Sequence, residues 1–236
     1  MRYTYDYPRP AVTVDVVVFA MRAGDLAVLL IRRAHAPFKG AWALPGGFVN
    51  ENEPLEWAAS RELHEETGIR DLPFEQLGAF GDPGRDPRGH TVSVVYYTFA
   101  VAESRPVVAG DDAAEAAWHP LRTLPVTQVG RHRPSVKLAF DHARVIDVAR
   151  ARLQERLNQP NRPAIFDLVP SRFTLSELQR VYEAVLGREL DKRNFRARLL
   201  RHEWVEVASQ GAGGTRRTGP HRPAQLYRWK TPKRVR

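Results

Sequence analysis

The chain has 236 residues, 43% of them hydrophobic, and carries 36 Lys and Arg against 27 Asp and Glu for a formal net charge of +9. That length supports a sizeable core and one large or two modest domains. The absence of cysteine excludes disulfides, cysteine-based zinc sites and a thiol nucleophile, and it fits a reducing, cytoplasmic setting. The first ten residues, MRYTYDYPRP, hold no apolar leader core, and the run from Ala11 to Met21 is short and broken by Asp15. The expectation is a soluble protein with no membrane partner.

Ala11 to Met21 is β-branched and apolar, Ala23-Gly24-Asp25 turns the chain, and Leu26 to Arg33 runs extended again, which predicts a hairpin of buried strands. The segment HAPFKGAW, His35 to Trp42, is a loop. The stretch LPGGFVNENEPLEWAASRELHEETGI, Leu44 to Ile69, then combines a glycine turn at Gly46-Gly47, a helix start at Glu53-Pro54 and a helical run. Leu55, Ala59 and Leu63 form its apolar stripe, and beside them Ala58, Glu62 and Glu66 form a second row. Burying unpaired carboxylates costs several kcal/mol, and Arg61 alone cannot neutralise Glu62, Glu65 and Glu66. A hard divalent cation would: oxygen ligands suit Mg²⁺ or Mn²⁺, and Mg²⁺ takes its other ligands from water and substrate phosphates. By spacing alone, a solvated charged helix face fits equally well.

Gly47, five residues, Glu53, seven residues and then Arg61-Glu62-Leu63-His64-Glu65-Glu66-Thr67-Gly68-Ile69 resembles a complete Nudix box, Gx5Ex7REUxEExGU. The resemblance implies that Glu62, Glu65 and Glu66 ligate Mg²⁺ with the carbonyl of Gly46. It also implies that Arg61 and Glu53 form a supporting ion pair that orients those carboxylates.

Gly68 stops the helix, and Leu72 to Phe80 can return as a strand. GDPGRDPRGH, Gly81 to His90, is a turn-rich loop ahead of the extended stretch Thr91 to Ala102. Arg85 and Arg88 on that loop suit phosphate oxygens, although two loop arginines are by themselves usually solvated. The loop resembles one found in ADP-ribose-using Nudix proteins, which implies a ligand role for both arginines, with Gly47 beside them. Asp111, Asp112 and Glu115 precede a short strand at Trp118 to Leu121, and Nudix hydrolases usually recruit a further carboxylate from outside the box. Glu115 is preferred, then Asp112, then Asp111. From Val136 to Leu157 the spacing of Leu138, Ala139, His142, Val145, Ile146, Ala149 and Leu153 predicts a long helix, with His142 as a satisfied core histidine. No zinc spacing occurs among the histidines.

From Asn161 onward 17 Lys and Arg stand against 7 Asp and Glu, whereas residues 1 to 160 hold 19 and 20. The positive excess therefore lies in the last third, which predicts a separate module for a polyanion such as nucleic acid. Asn158 to Ser171, with three prolines, is a connector. Thr174-Leu175-Ser176-Glu177 is a capping box opening a helix with Leu175, Leu178, Val181, Tyr182 and Val185 on one face, closed by Gly187. Asp191 caps a second helix, Lys192 to His202. On it Phe195 and Leu199 face inward while Arg193, Ala197 and Arg201, with Asn194 and Lys192 beside them, make a basic face suited to a major groove. A strand at Trp204 to Ala208, a basic loop GAGGTRRTGPHRP and a strand at Ala224 to Trp229 complete a winged helix, with Arg216, Arg217 and Arg222 placed for phosphates. A small accessory or dimerisation domain is the alternative for this module.

A Nudix domain followed by FTLSELQRVYEAVLGRELDKRNFRARLL resembles the NrtR-type, Nudix-related transcriptional regulators of NAD metabolism. The expected fold is α+β: a Nudix α/β/α sandwich with a mixed sheet over residues 1–158, a linker over 159–172 and a winged helix-turn-helix over 173–236. In that group ADP-ribose or a related NAD-derived nucleotide alters the binding of a homodimer to a double-stranded DNA operator. Many members have a degraded box, whereas every box residue is present here. Three readings follow: a regulator that senses ADP-ribose and also cleaves it to AMP and ribose 5-phosphate; a Mg²⁺-dependent ADP-ribose pyrophosphatase with an accessory tail; and a nucleic-acid-binding protein with a Nudix scaffold. The intact carboxylates weigh against the last, and the basic helix against the second.

Overall fold

A computed structural model of the chain describes residues 4–100, 113–126, 136–157, 168–208 and 225–230. It separates into two compact units, Met1–Arg152 and Leu153–Arg236.

The first unit is built on β1 (Ala11–Arg22), which pairs antiparallel with β2 (Asp25–Arg33) and with β4 (Gly46–Phe48) and parallel with β6 (Thr91–Phe99). β3 (Trp42–Ala43) and β7 (Ala113–Pro120) join β2, and β5 (Glu75–Phe80) lies on β6, giving a mixed seven-stranded sheet. Eight consecutive residues of β1, Thr13 to Ala20, are buried, so both faces of the sheet are covered. Strand alternation sends Val14, Val16 and Val18 to one face, where with Leu29 and Tyr96 they pack on Ala58, Ala59 and Leu63 of α1 (Leu55–Thr67). Each such fully buried aliphatic side chain contributes roughly 1.5–3 kcal/mol. Asp15 is sent to the opposite face. There it meets His142, the first residue of α2 (His142–Arg156).

Several boundaries differ from the sequence expectation. The helix predicted from Val136 begins at His142, because Trp42 N–H donates to Lys137 O (3.0 Å) and Ala139 N–H donates to Trp42 O (2.8 Å), adding residues 137–139 to the sheet beside β3. β5 begins at Glu75 rather than Leu72. β7 begins at Ala113, so Glu115 stands within a strand, opposite Arg32, rather than ahead of one. Pro54 occupies the N-cap of α1, with no side-chain cap, and its carbonyl accepts the N–H groups of Trp57 and Ala58. Gly68 ends the helix in the left-handed conformation, as expected.

The second unit holds β8 (Phe173–Thr174), α3 (Leu175–Leu186), α4 (Lys192–Arg201), β9 (Val205–Val207) and β10 (Leu226–Trp229), with an antiparallel sheet in the order β8-β10-β9. The capping box forms: Glu177 N–H donates to Thr174 Oγ1, and Thr174 N–H donates to Glu177 Oε2. Leu175, Leu178, Val181, Tyr182 and Val185 of α3 are buried together with Phe195 and Leu199 of α4, and the Tyr182 and Phe195 rings meet edge to face at 5.1 Å. The turn between the helices is braced from α3. Gln179 Nε2 donates to Leu190 O, and Leu190 N–H donates to Glu183 Oε1, each at 2.9 Å. Gln154, in the last turn of α2, donates through Nε2 to Val185 O at 2.9 Å. The order helix, helix, strand, strand is that of a winged helix. Among the described residues no helix is long and apolar enough to cross a membrane.

Candidate active site and candidate nucleic-acid interface

The acids of α1 are organised by one guanidinium. Arg61 donates through Nε (2.7 Å) and Nη2 (2.9 Å) to both oxygens of Glu53, through Nη1 to Glu62 (2.7 Å) and Glu65 (3.1 Å), and through Nη2 to Phe48 O (3.1 Å). The hydrogen bonds from Arg61 hold the Glu53 carboxyl down to about 2, and Glu53 in turn raises Arg61. Burial pushes the Glu62 carboxyl up against the pull of Arg61. Glu66, 8% exposed, receives the backbone N–H of Gly46 at 2.9 Å; burial pushes its carboxyl up to about 8, with the charges of Glu62 and Asp15 adding to the shift.

Gly46 must be glycine for steric reasons, and Gly47 is crowded by an acid side chain. A Cβ on Gly46 would lie 2.2 Å from Val14 O, and one on Gly47 would lie 2.5 Å from Glu62 Oε1. The turn thus lies flat between β1 and the acid row.

Behind it runs a second polar network that the sequence reading did not identify. Asp15 accepts from Ser93 Oγ, stands 3.5 Å from Arg85 Nη2 and 3.5 Å from His142 Nε2, and neighbours Gly46 across the β1–β4 ladder. Leu44 N–H donates to His142 Nδ1 at 2.9 Å, which leaves the proton of the neutral ring on Nε2, toward Asp15. Burial holds His142 below its usual value, in keeping with a neutral core histidine. The available signal was Asp15 itself, a carboxylate inside an apolar strand that demands a partner.

The two loop arginines part company. Arg85 turns inward, its side chain only 4% exposed, and bonds both oxygens of Asp141 through Nε (3.1 Å) and Nη2 (2.7 Å). Arg88 remains 43% exposed, fixed to the buried Asp86 through Nε and Nη2, with its guanidinium 4.9 Å from the Phe48 ring and 5.8 Å from that of Phe140. Arg33 lies 4.9 Å from the Phe140 ring. Glu115, expected to serve the acid row, pairs instead with Arg32 at 3.7 Å. Asp111 and Asp112 lie outside the described residues.

Among the described residues no group of three or more His, Cys, Asp or Glu side chains is gathered as a metal site. Glu65 is the acid that stands apart, 55% exposed and bonded to Arg61. Glu62 and Glu66 nevertheless fit a hard cation. Both are partly or largely buried oxygen donors beside a glycine turn, and the burial of Glu66 outweighs the pull of the Gly46 N–H and of Arg33 on its carboxyl. Nudix hydrolases generally use divalent metals.

In the second unit, α4 exposes Lys192, Arg193, Asn194, Ala197 and Arg201 while burying Phe195 and Leu199. Asp191 Oδ1 caps the helix by accepting Asn194 N–H at 2.8 Å. Arg216, Arg217 and Arg222 of the predicted wing lie outside the described residues, as do residues 158–167 of the predicted linker.

Residues 9–140 match the family described as NUDIX domain, and residues 165–229 match the NrtR DNA-binding winged helix domain. The chain is 37% identical to the ADPR responsive transcriptional repressor NtrR of Acinetobacter baylyi over 95% of its own length and 84% of the relative's. It is 42% identical to the ADP-ribose pyrophosphatase of Methanocaldococcus jannaschii over 59% of its own length and 73% of that protein's. The crystal structure of Shewanella oneidensis NrtR superimposes with a TM-score of 0.72 at 34% identity, covering 93% of this chain and 94% of that one. That protein has also been solved with a 27mer DNA (TM-score 0.69, 34% identity, 93% of each chain) and, as its NUDIX domain, with ADP ribose (TM-score 0.55, 34% identity, 63% of this chain and 94% of that one).

Proposed function

Since the chain belongs to the NrtR family, in which a NUDIX domain is joined to a DNA-binding winged helix, we propose that it is an ADP-ribose-responsive transcriptional regulator of NAD metabolism that also hydrolyses its ligand. The observation that carries the reading is the coexistence, in one chain, of an Arg61-organised acid row on α1 and an exposed basic row on α4. A purely sensory domain has no need of the first, and a plain hydrolase has no need of the second.

In the NUDIX unit Glu62 and Glu66 would hold Mg²⁺ with the carbonyl of Gly46, and Glu65 would join them by releasing Arg61. The ion supplies neutralisation of the diphosphate and activation of water. Arg61, itself locked by Glu53, sets the orientation of Glu62, and Gly46 sets that of Glu66. Arg88 presents a fixed guanidinium to a phosphate, while Arg85, clamped to Asp141, shapes the loop rather than meeting the ligand. Addition of one water across the pyrophosphate bond of ADP-ribose yields AMP and ribose 5-phosphate.

In the winged helix Arg193, Asn194 and Arg201 read base edges around the small Ala197, and Lys192 contacts phosphate. Two copies on a two-fold symmetric operator would place two such helices in successive major grooves, which is the argument for a homodimer. The place of action is then the cytoplasm, with the chromosome. The test is direct: incubate the full chain with ADP-ribose and Mg²⁺, follow AMP, and in parallel measure retardation of an operator-bearing duplex with and without ADP-ribose. AMP release together with ligand-dependent retardation is expected. AMP release without DNA binding would leave a pyrophosphatase with an accessory domain.

A further inference from the structure

We infer that the ring of Phe48 is the stacking surface for the aromatic base of the nucleotide, and so determines which diphosphates the NUDIX unit accepts. The inference rests on the reading above, that this unit binds ADP-ribose.

Phe48 directly follows Gly47, whose missing side chain leaves room for Glu62. Its backbone is held on three sides. Phe48 pairs with Thr13 in the β1–β4 ladder, its carbonyl accepts Arg61 Nη2 at 3.1 Å, and Val49 N–H donates to Val12 O at 3.1 Å. The ring is nevertheless 46% exposed. Singly exposed apolar side chains are ordinary. An exposed ring on a fixed backbone, one residue after the glycine that borders Glu62, is less so.

The ring is also the outer member of a layered wall. Arg33 stacks on Phe140, Arg88 lies between Phe140 and Phe48, and the plane of Arg88 is fixed by Asp86, whose side chain is 3% exposed. Phe38 meets Phe140 edge to face at 4.9 Å and supports the wall from the side. Guanidinium groups and rings favour one another through cation–π attraction, and the wall ends on its most exposed ring, Phe48. A flat heterocyclic base completes it, with the diphosphate that carries the base extending toward Glu62 and Glu66. Trp57 is more exposed, at 71%, but no cation stacks on its ring among the described residues, and it provides a control.

The experiment is calorimetry on the full chain in chelator, with ADP-ribose, AMP and inorganic pyrophosphate as separate titrants. Phe48→Ala should raise Kd for ADP-ribose and AMP by at least about fivefold, the lower end of what a lost base–aromatic stack produces. It should leave pyrophosphate binding unchanged. Phe48→Trp should restore the wild-type values, Phe48→Leu should not, and Trp57→Ala should have no effect. With Mg²⁺ present, the loss in Phe48→Ala should fall on KM with kcat retained. Unaltered AMP binding in Phe48→Ala, or equal losses for AMP and pyrophosphate, would overturn the inference while wild-type binding of ADP-ribose leaves the functional reading standing. Failure of the wild-type chain to bind ADP-ribose would remove both.

Discussion

The backbone N–H of Gly46 donates to Glu66 Oε2 across 2.9 Å, so the residue that must lack a side chain to pass Val14 also fixes the most buried acid of α1. A strand-edge requirement and a ligand-orienting requirement are thereby met at one position. The acid is held in place before any cation arrives, and the energetic cost of its burial is expressed as a retained proton.

Glu66→Gln keeps an acceptor for the Gly46 N–H and so should fold normally, with an unchanged circular dichroism spectrum. Turnover of ADP-ribose should drop by roughly 10²-fold or more, the scale of losing a principal electrostatic group at a reacting centre. Near-normal Mg²⁺-dependent AMP release from this variant would refute its assignment as a ligand.

The same carboxyl sets a pH dependence. Its pKa rises from 4.5 to about 8 on folding, so between those values the native state holds a proton that the unfolded chain has lost, and metal-free stability must fall as pH rises through that window. Glu62, also raised, acts in the same direction. His142 is lowered from 6.5 and opposes them only below that value, which makes pH 6.5 to 8 the decisive interval. In chelator, Tm should decline across it, and Glu66→Gln should remove most of the slope. Added Mg²⁺ should stabilise more strongly at the alkaline end, because its binding must displace the proton. A metal-free Tm that climbs over this interval contradicts the assignment.

Gly47→Ala places a Cβ 2.5 Å from Glu62 Oε1. The flexible carboxylate can swing away, so the fold should lose no more than about 1–3 kcal/mol, in the range of overpacking. Hydrolysis should suffer far more than stability, and Mg²⁺ should be required at higher concentration. Comparing thermal melts with a Mg²⁺ titration of activity separates the two effects, and equal activity at equal Mg²⁺ would exclude the crowding argument.

Arg193→Ala should weaken operator binding by roughly 1–3 kcal/mol if the side chain reads a base, with reduced discrimination between operator and mutated duplex. Retardation assays over a range of salt distinguish this from loss of a phosphate contact, which would instead flatten the salt dependence by about one unit of slope. Unchanged affinity and slope would show that α4 is not the reading helix.

What could be read from the sequence was local. Leu55, Ala59 and Leu63 repeat at helical spacing and so reveal α1 together with the acids beside it, and Thr174 with Glu177 announces the start of α3 three residues at a time. The inward turn of Arg85 depends on Asp141, 56 residues away, and the tautomer of His142 depends on Leu44, 98 residues away. Neither pairing leaves a periodic trace. The late start of α2 has the same origin, since the hydrogen bonds of Trp42 divert Lys137 and Ala139 from a helical pattern that their side chains satisfy. Asp15 was legible only as an interruption of an apolar run, and its three partners come from separate elements.

α2 runs unbroken from His142 to Arg156, although the first compact unit ends at Arg152. A truncated polypeptide stopping at Arg152 would cut α2 within its last turn and leave the carbonyls before the cut without their intrahelical donors. Dissection of the NUDIX unit for separate expression therefore belongs beyond Arg156, and limited proteolysis should find no cleavage point between His142 and Arg156.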